Sequence, residues 1–412
     1  MIEKTQVSLD EAIAIVLNSA PAVIAEERVS IMAALNRVLA EDVTARRNHP
    51  PWDNSAMDGY AVRAEDLQGA TTDQPVWLQV VGEVQAGGRA MRQLRSGEAI
   101  QIMTGAPTPE GADAVVCVEE SERRGDQVRI SGPVELGRHI RRQGEDIGAG
   151  QRVLAAGSAL RPPELGVLAT AGYSSVRVHQ RPCVSVLATG DELVEPGETL
   201  GPTQIINSNS YSVSALVRDS GARCLTLPSA RDNRHDLEAK ISQALQADVA
   251  LVIGGVSMGK YDYVREALEA QGCQFKFWRV AVRPGHPVAF GIVKQGAQTK
   301  LLFGLPGNPV SCVVGFYQFV RPLLRKMMGY KTLFLPEVEA VMEADFSKKA
   351  GRVHLARATT TFRDGRYVVQ LAPRQGSGVL TSFVDANSLA ILPAQQSHFA
   401  AGEPVKVQLL PE

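Results

Sequence analysis

Residues 301–312 read Leu-Leu-Phe-Gly-Leu-Pro-Gly-Asn-Pro-Val-Ser-Cys, "LLFGLPGNPVSC". An apolar run, Leu301-Leu302-Phe303, stops at two glycines and two prolines within six residues, Gly304, Pro306, Gly307 and Pro309. A long apolar helical pattern then begins. Asn308 suits an N-cap, and Pro309 suits the first helical position, where a missing N–H costs nothing. The spacing therefore predicts a strand, a stiff turn and a helix start. Such a turn can serve packing alone. It can also face an anion, because a helix N-terminus presents unpaired N–H groups and partial positive charge.

The surrounding pattern repeats the theme. "CVSVLATGDEL" from Cys183 is a buried strand with a polar turn, "NSYSVSALVRDSG" an amphipathic helix, "ARCLTLPSA" a strand, "RHDLEAKISQALQ" a helix and "DVALVIGG" a strand. "YDYVREALEAQG" is a helix, "FKFWRVAV" and "KLLFGL" are strands, and 309–328 is a long helix with a bend expected at Pro322. Alternating strand and helix predicts a parallel sheet with helices on both faces. Upstream, residues 8–44 read as helical with Ser8 as a cap. Residues 45–145, rich in Gly, Val and alternating runs such as "VWLQVVGEV", read as a small β domain. Residues 166–182 read as a short helix and a strand, and 330–412 as β again. The expected domains are 1–44 together with 145–182, then 45–144, 183–329 and 330–412.

Composition bounds the function. The 412 residues are 44% hydrophobic and 21% charged, as in a packed globular protein of about three domains. A formal net charge of −1 argues against a general nucleic-acid binder. The five cysteines form no C-x-x-C pair, so no zinc or disulfide framework is expected, and a reducing compartment fits. Glu3, Asp10 and Glu11 sit where a signal peptide would want other residues, and no apolar run approaches a membrane span. A cytoplasmic protein with no membrane contact is expected.

In an open α/β sheet the ligand crevice lies beyond the carboxyl ends of the strands. There this chain places Thr189-Gly190-Asp191-Glu192, Arg231-Asp232, Gly254-Gly255-Val256-Ser257 with Gly259 and Asp262, Arg279 with Arg283-Pro284-Gly285-His286, and Gly304 to Asn308. Together these describe a pocket of glycine backbones open to phosphate, arginines to neutralise it and carboxylates to hold a divalent metal. The glycines lack P-loop spacing, which argues against an ordinary ATPase. Outside this region, "PPWDNSAMDGYAV" (50–62) gathers Asp53, Asn54, Ser55 and Asp58, and "IRRQGEDI" (140–147) sets Arg141 and Arg142 before Glu145 and Asp146. By themselves these read as a hinge and a solvated charge run.

The motifs "DNSAMDGYAV", "IMTGAPTPEGADAVV", "RRQGEDI", "ATGDEL", "GGVSMGKYDYV", "RPGHPVAFG" and "GLPGNPVS", in this order from about residue 8 to 410, resemble the molybdopterin molybdenumtransferase family, which includes the E domain of gephyrin. The resemblance implies an elongated four-part chain of α/β plus β domains: a central parallel-sheet molybdopterin-binding domain, a small β domain in the N-terminal half and a C-terminal β domain. It implies a homodimer whose cleft lies between the α/β domain of one subunit and the small β domain of the other. The implied reaction takes molybdopterin-AMP and molybdate, inserts molybdenum into the dithiolene and releases AMP with a divalent cation, usually Mg2+. The implied partners are the molybdopterin adenylyltransferase upstream and acceptor enzymes downstream.

Carried over by motif, the resemblance implies catalytic acids at Asp58, Asp146, Glu192 and Asp232, and metal ligands among Asp58, Glu192, Asp232 and Asp262. It implies substrate contacts at Thr104, Gly254, Gly255, Ser257, Arg279, Arg283, Pro306, Gly307, Asn308, Pro309 and Ser377. The chain departs from the pattern in three places. Arginines stand where a lysine pair is usual, His286 stands for a further lysine, and an acidic pair is reduced to Asp232-Asn233. Three other readings compete. A gephyrin-like scaffold would not need the acidic set, a lone adenylyltransferase would not need three extra regions, and tungstate could replace molybdate.

Overall fold

The computed structural model describes residues 2–21, 25–255, 263–296 and 298–411. The chain divides into two compact units, one formed by 1–27, 36–38 and 178–412, the other by 28–35 and 39–177.

The first unit is built on a seven-stranded sheet. Its strands in chain order are β1 (Ile2–Lys4), β2 (Cys183–Ala188), β3 (Arg223–Thr226), β4 (Val249–Ile253), β5 (Gln274–Phe277), β6 (Ala289–Gln295) and β7 (Gln298–Leu305). In space they lie in the order β1-β5-β6-β7-β4-β2-β3. β2 pairs in parallel with β3 and β4, and β4 with β7. The parallel prediction fails at one strand. Residues 289–295, unrecognised in the sequence, turn back as an antiparallel hairpin with β7, Phe290 opposite Phe303. Their run "AFGIVKQ" is too short and too evenly apolar for periodicity to set its direction.

Side chains on β2, β4 and β7 alternate between two cores, as a period of two requires. Val184, Val186, Val249, Leu251, Ile253, Leu301, Phe303 and Leu305 pack with helices Leu9–Ser19, Ser208–Asp219 and Pro309–Gly315. Leu187, Ala250, Val252 and Leu302 pack on the other face with helices Arg234–Ala244 and Tyr263–Ala270. The chain moves from β2 to β3 on one side and from β3 to β4 on the other. The topological switch therefore falls between β2 and β4.

The expected helix over 8–44 is confined to Leu9–Ser19, where Ser8 Oγ accepts from Glu11 N–H at 3.2 Å as a cap should. Beyond Pro21 the chain forms strand Glu26–Ser30 and a short 3-10 turn, Ile31–Ala34. The helix after Pro309 passes through a π-helical turn, Phe316–Val320, before Arg321–Met327. That irregularity sits where Pro322 has no N–H to return to Gln318. The unit ends in a β-barrel. Strands Val353–Arg363, Arg366–Leu371, Glu337–Met342, Pro404–Leu409 and Ser388–Leu392 pair in that order, and the last closes on the first.

The second unit carries a six-stranded sheet in the order Ala114–Cys117, Gly59–Val62, Glu98–Ile102, Val76–Val84, Gln127–Ile130, Ser121–Arg124. It is the small β domain expected from the alternating runs.

Candidate active site

A crevice of about 600 Å³ opens at the carboxyl ends of β2, β4 and β7, at the topological switch. Glu192, Asp232, Gly254, Gly255, Pro306, Gly307, Asn308 and Pro309 all line it, together with Thr189, Asn207 and Asn209. Eight residues singled out from four separate sequence stretches thus share one wall. Gly254 and Gly255 have φ of +94° and +63°, a region that L side chains rarely adopt. A Cβ on Gly254 would meet Thr189 O at 2.7 Å, and one on Gly255 would meet Val264 Cγ2 at 2.2 Å. Only hydrogen fits at either position.

Glu192 and Asp232 stand exposed at the mouth. The Asp232 N–H donates to Asp191 Oδ1 at 3.1 Å, which ties the two acidic turns together. The Asp232-Asn233 departure has a structural reason: Asn233 Oδ1 accepts from Asp236 N–H at 3.0 Å and caps helix Arg234–Ala244. Asn209 Nδ2 donates to the Gly307 carbonyl at 2.7 Å and holds the proline-glycine loop to helix Ser208–Asp219.

The expected anion seat at Pro309 is largely consumed by the fold. Asn308 occupies the cap position without a side-chain cap bond, and Pro309 has no N–H. Val310 N–H donates to the Ser377 carbonyl at 3.1 Å, and Cys312 N–H closes the first helical bond to Asn308 O. Of the first four N–H groups, those of Asn308 and Ser311 remain at that end. The loop walls the crevice, and Ser377 meets it through its backbone.

Arg279 and Arg283 do not line this crevice. The expected single strand "FKFWRVAV" ends at Phe277, and Val282–Arg283 leaves the sheet to pair in parallel with Val353 and His354 of the barrel. The His286 ring donates from Nδ1 to the Val280 carbonyl at 2.7 Å. Arg283 instead lines a separate cavity of about 350 Å³ with Lys348, Lys349, Arg352 and His354. Among the described residues no carboxylate lines it. Burial first, and then Arg283, Arg357 and Lys348, push the His354 imidazole down to about 4. Burial and then Arg283 lower Lys348, and the same causes bring Arg357 down to about 10. Arg357 is fully buried, with Nε on Ser382 Oγ and Nη2 on the carbonyls of Arg374 and Gly376. Sequence reading missed this cationic cavity, because its members come from 283 and from 348–354 and meet only through barrel pairing.

In the second unit, Asp58 Oδ1 accepts from both N–H and Oγ1 of Thr104, each at 2.7 Å. Those two bonds, the backbone one first, hold the Asp58 carboxyl below its usual range. The second oxygen and the rest of the exposed side chain stay available. Strand Asn54–Ser55 pairs with Ile140–Arg141, which brings the two acidic stretches side by side. There Arg142 bonds Asp53 at 2.7 Å, and Gln143 N–H bonds the same carboxylate. Glu145 takes the Arg142 N–H, and Asp146 is exposed. The stretch that read as a solvated charge run is a cross-linked turn. Ser257 and Asp262 lie outside the described residues.

Family models match nearly the whole chain. Residues 7–172 match the MoeA N-terminal region (domain I and II), 185–326 a probable molybdopterin binding domain, and 339–410 the MoeA C-terminal region (domain IV). The chain is similar to the molybdopterin molybdenumtransferase of Haemophilus influenzae, at 37% identity over 97% of this chain and 98% of that one. It is also similar to molybdopterin molybdenumtransferase 2 of Mycobacterium tuberculosis, at 39% identity over 92% and 94%. Among solved structures, a molybdopterin biosynthesis MoeA protein from Pyrococcus horikoshii superposes with a TM-score of 0.80 and 32% identity, covering 99% of this chain and all of that one.

Proposed function

The chain belongs to the molybdopterin molybdenumtransferase family, and from that premise we propose how its two groups of carboxylates divide the work. It is a transferase of molybdenum cofactor biosynthesis that inserts molybdenum into molybdopterin. The crevice between β2 and β4 receives the substrate as molybdopterin-AMP, and AMP is released. The observation that carries this reading is the shared wall of Glu192, Asp232, Gly254, Gly255 and the 306–309 loop.

Glu192 and Asp232 are the residues that would hold Mg2+. Two exposed carboxylates fit that ion, which commonly takes one or two carboxylates and fills its shell with substrate phosphate and water. Among the described residues no three-ligand protein cage exists, as such an ion requires none. When bound, Mg2+ supplies positive charge against phosphate oxygens as AMP leaves. Gly254 and Gly255 let the backbone approach the phosphates. The cavity around Arg283 gathers Lys348, Lys349 and Arg352 beside it, positive charge suited to an oxyanion such as molybdate.

Asp58 with Thr104, and Asp146 of the same unit, form the complementary half of the site. Their locked geometry gives a carboxylate with one oxygen fixed and one free. We assign the chain to a homodimer in which this half meets the crevice of the other subunit. The proposed domains are 1–44 with 145–182, 45–144, 183–329 and 330–412. Arg279 remains a proposed anion contact outside the crevice wall, and Ser257 and Asp262 complete the proposed set. A cytoplasmic setting accords with five unpaired cysteines.

AMP release from molybdopterin-AMP, measured with molybdate and with tungstate, tests the reaction. Asp232→Ala should fold normally and lose Mg2+-dependent release. Unchanged release would remove Asp232 from the mechanism.

A further inference from the structure

Two side-chain oxygens in the crevice are buried without a protein partner, Thr189 Oγ1 and Asn209 Oδ1. Thr189 is 4% exposed and follows the last residue of β2. Its backbone N–H donates to Ile253 O at 2.9 Å. Its hydroxyl faces the glycine notch: a Cβ on Gly254 or on Gly255 would lie 3.2 Å from Oγ1. The Asn209 amide has one possible orientation. Its Nδ2 donates to the Gly307 carbonyl, which cannot donate in return, so Oδ1 is the free end.

A buried hydroxyl without a partner lowers stability, and valine has nearly the same shape without that cost. Folding therefore favours a methyl at position 189, where the chain keeps an oxygen. Both residues line the crevice, from β2 and from the helix facing the 306–309 loop.

We propose that Thr189 Oγ1 is a substrate contact that donates a hydrogen bond to a phosphate oxygen seated against Gly254 and Gly255, while Asn209 Oδ1 accepts an N–H or O–H from the uncharged part of the same ligand. The inference rests on reading this crevice as the molybdopterin pocket. An uncharged donor suits a place where the only ionised groups on the described wall are Glu192 and Asp232, because it adds affinity without neutralising the carboxylates. An amide acceptor cannot hold a phosphate, so the two residues read opposite ends of the bound molecule.

The test uses the full-length protein, with molybdopterin as the probe in anaerobic equilibrium ultrafiltration, and thermal unfolding alongside. Thr189→Val should unfold at the wild-type temperature or above and bind about ten-fold more weakly, the loss expected for one hydrogen bond to a charged acceptor. Thr189→Ser, which keeps the hydroxyl, should bind within about three-fold of wild type. Gly307→Phe serves as the control. The Gly307 φ is not left-handed and the nearest atom to a Cβ there is Gly254 Cα at 3.9 Å, so the ring would fill the crevice. Loss of binding in Gly307→Phe with wild-type binding in Thr189→Val overturns the role of Thr189 alone. Wild-type binding in Gly307→Phe overturns the pocket itself, and the proposal with it. A Thr189→Val protein that unfolds well below wild type would show that the hydroxyl serves the fold, which also overturns the proposal.

Discussion

His354 should make this protein acid-labile in a way that one substitution removes. The ring is 1% exposed, neither nitrogen has a protein partner, and Arg283, Arg357 and Lys348 surround it. In the folded chain the imidazole is held at about 4, whereas an unfolded histidine titrates near its ordinary 6.5. The folded state therefore keeps the neutral form while the unfolded state gains a proton. Stability is fully present above pH 6.5 and is lost as pH falls toward 4. The full interval is worth about 3.4 kcal/mol, and the part between pH 7 and 5 about 2 kcal/mol. Carboxylates contribute their own pH dependence, so the informative quantity is a difference. Urea unfolding followed by far-UV circular dichroism should be run on wild type and His354→Leu at pH 7, 6 and 5, in a buffer free of phosphate and sulfate. Between pH 7 and 5 the wild type should lose about 2 kcal/mol more than the variant, whose apolar side chain leaves no bond unmade. Parallel curves for the two proteins would refute the reasoning, because they would mean that the folded imidazole titrates like a free one. Molybdate added at pH 5 should narrow the gap, since an oxyanion among these cations favours the protonated ring.

Further outcomes follow from the same geometry. Arg283→Ala should flatten the His354-dependent acid loss by removing a neighbouring charge, and it should weaken molybdate binding measured by equilibrium dialysis; wild-type binding would make Arg283 a surface cation only. Gly255→Ala should cost about 2–4 kcal/mol in chemical denaturation, from a left-handed backbone and the clash with Val264, while Gly307→Ala should stay within about 0.5 kcal/mol of wild type. Mixing inactive Asp58→Ala with inactive Asp232→Ala chains should restore roughly a quarter of wild-type AMP release, because half the dimers are mixed and each has one complete cleft. A mixture that stays dead after confirmed subunit exchange would place both carboxylates within one chain's site.

The sequence by itself determined the parts that rest on local chemistry. Short apolar runs of Val, Leu and Ile laid out β2, β4 and β7, and Ser8 announced its helix. The Gly-Gly pair after β4 and the proline-glycine loop after β7 marked the rim where Glu192 and Asp232 also fall. Each of those signals lies within a few residues of the element that produces it. What only the tertiary structure decided depends on pairing between distant segments. Strand Ala289–Gln295 runs antiparallel because its partner is the next strand in a hairpin, and an even apolar run does not encode direction. Arg283 left the expected rim because Val282–Arg283 pairs with the barrel strand about seventy residues later, and that pairing assembles the cationic cavity. Asn308 looked like a cap in sequence, yet Val310 N–H goes to Ser377 O, a bond made by tertiary contact. Thr189 was placed on the rim only as the start of the Thr189-Gly190-Asp191-Glu192 turn, and Asn209 carried no signal at all. A threonine after a strand and an asparagine in a first helical turn are ordinary residues until burial removes water from their oxygens and leaves them no protein donor or acceptor.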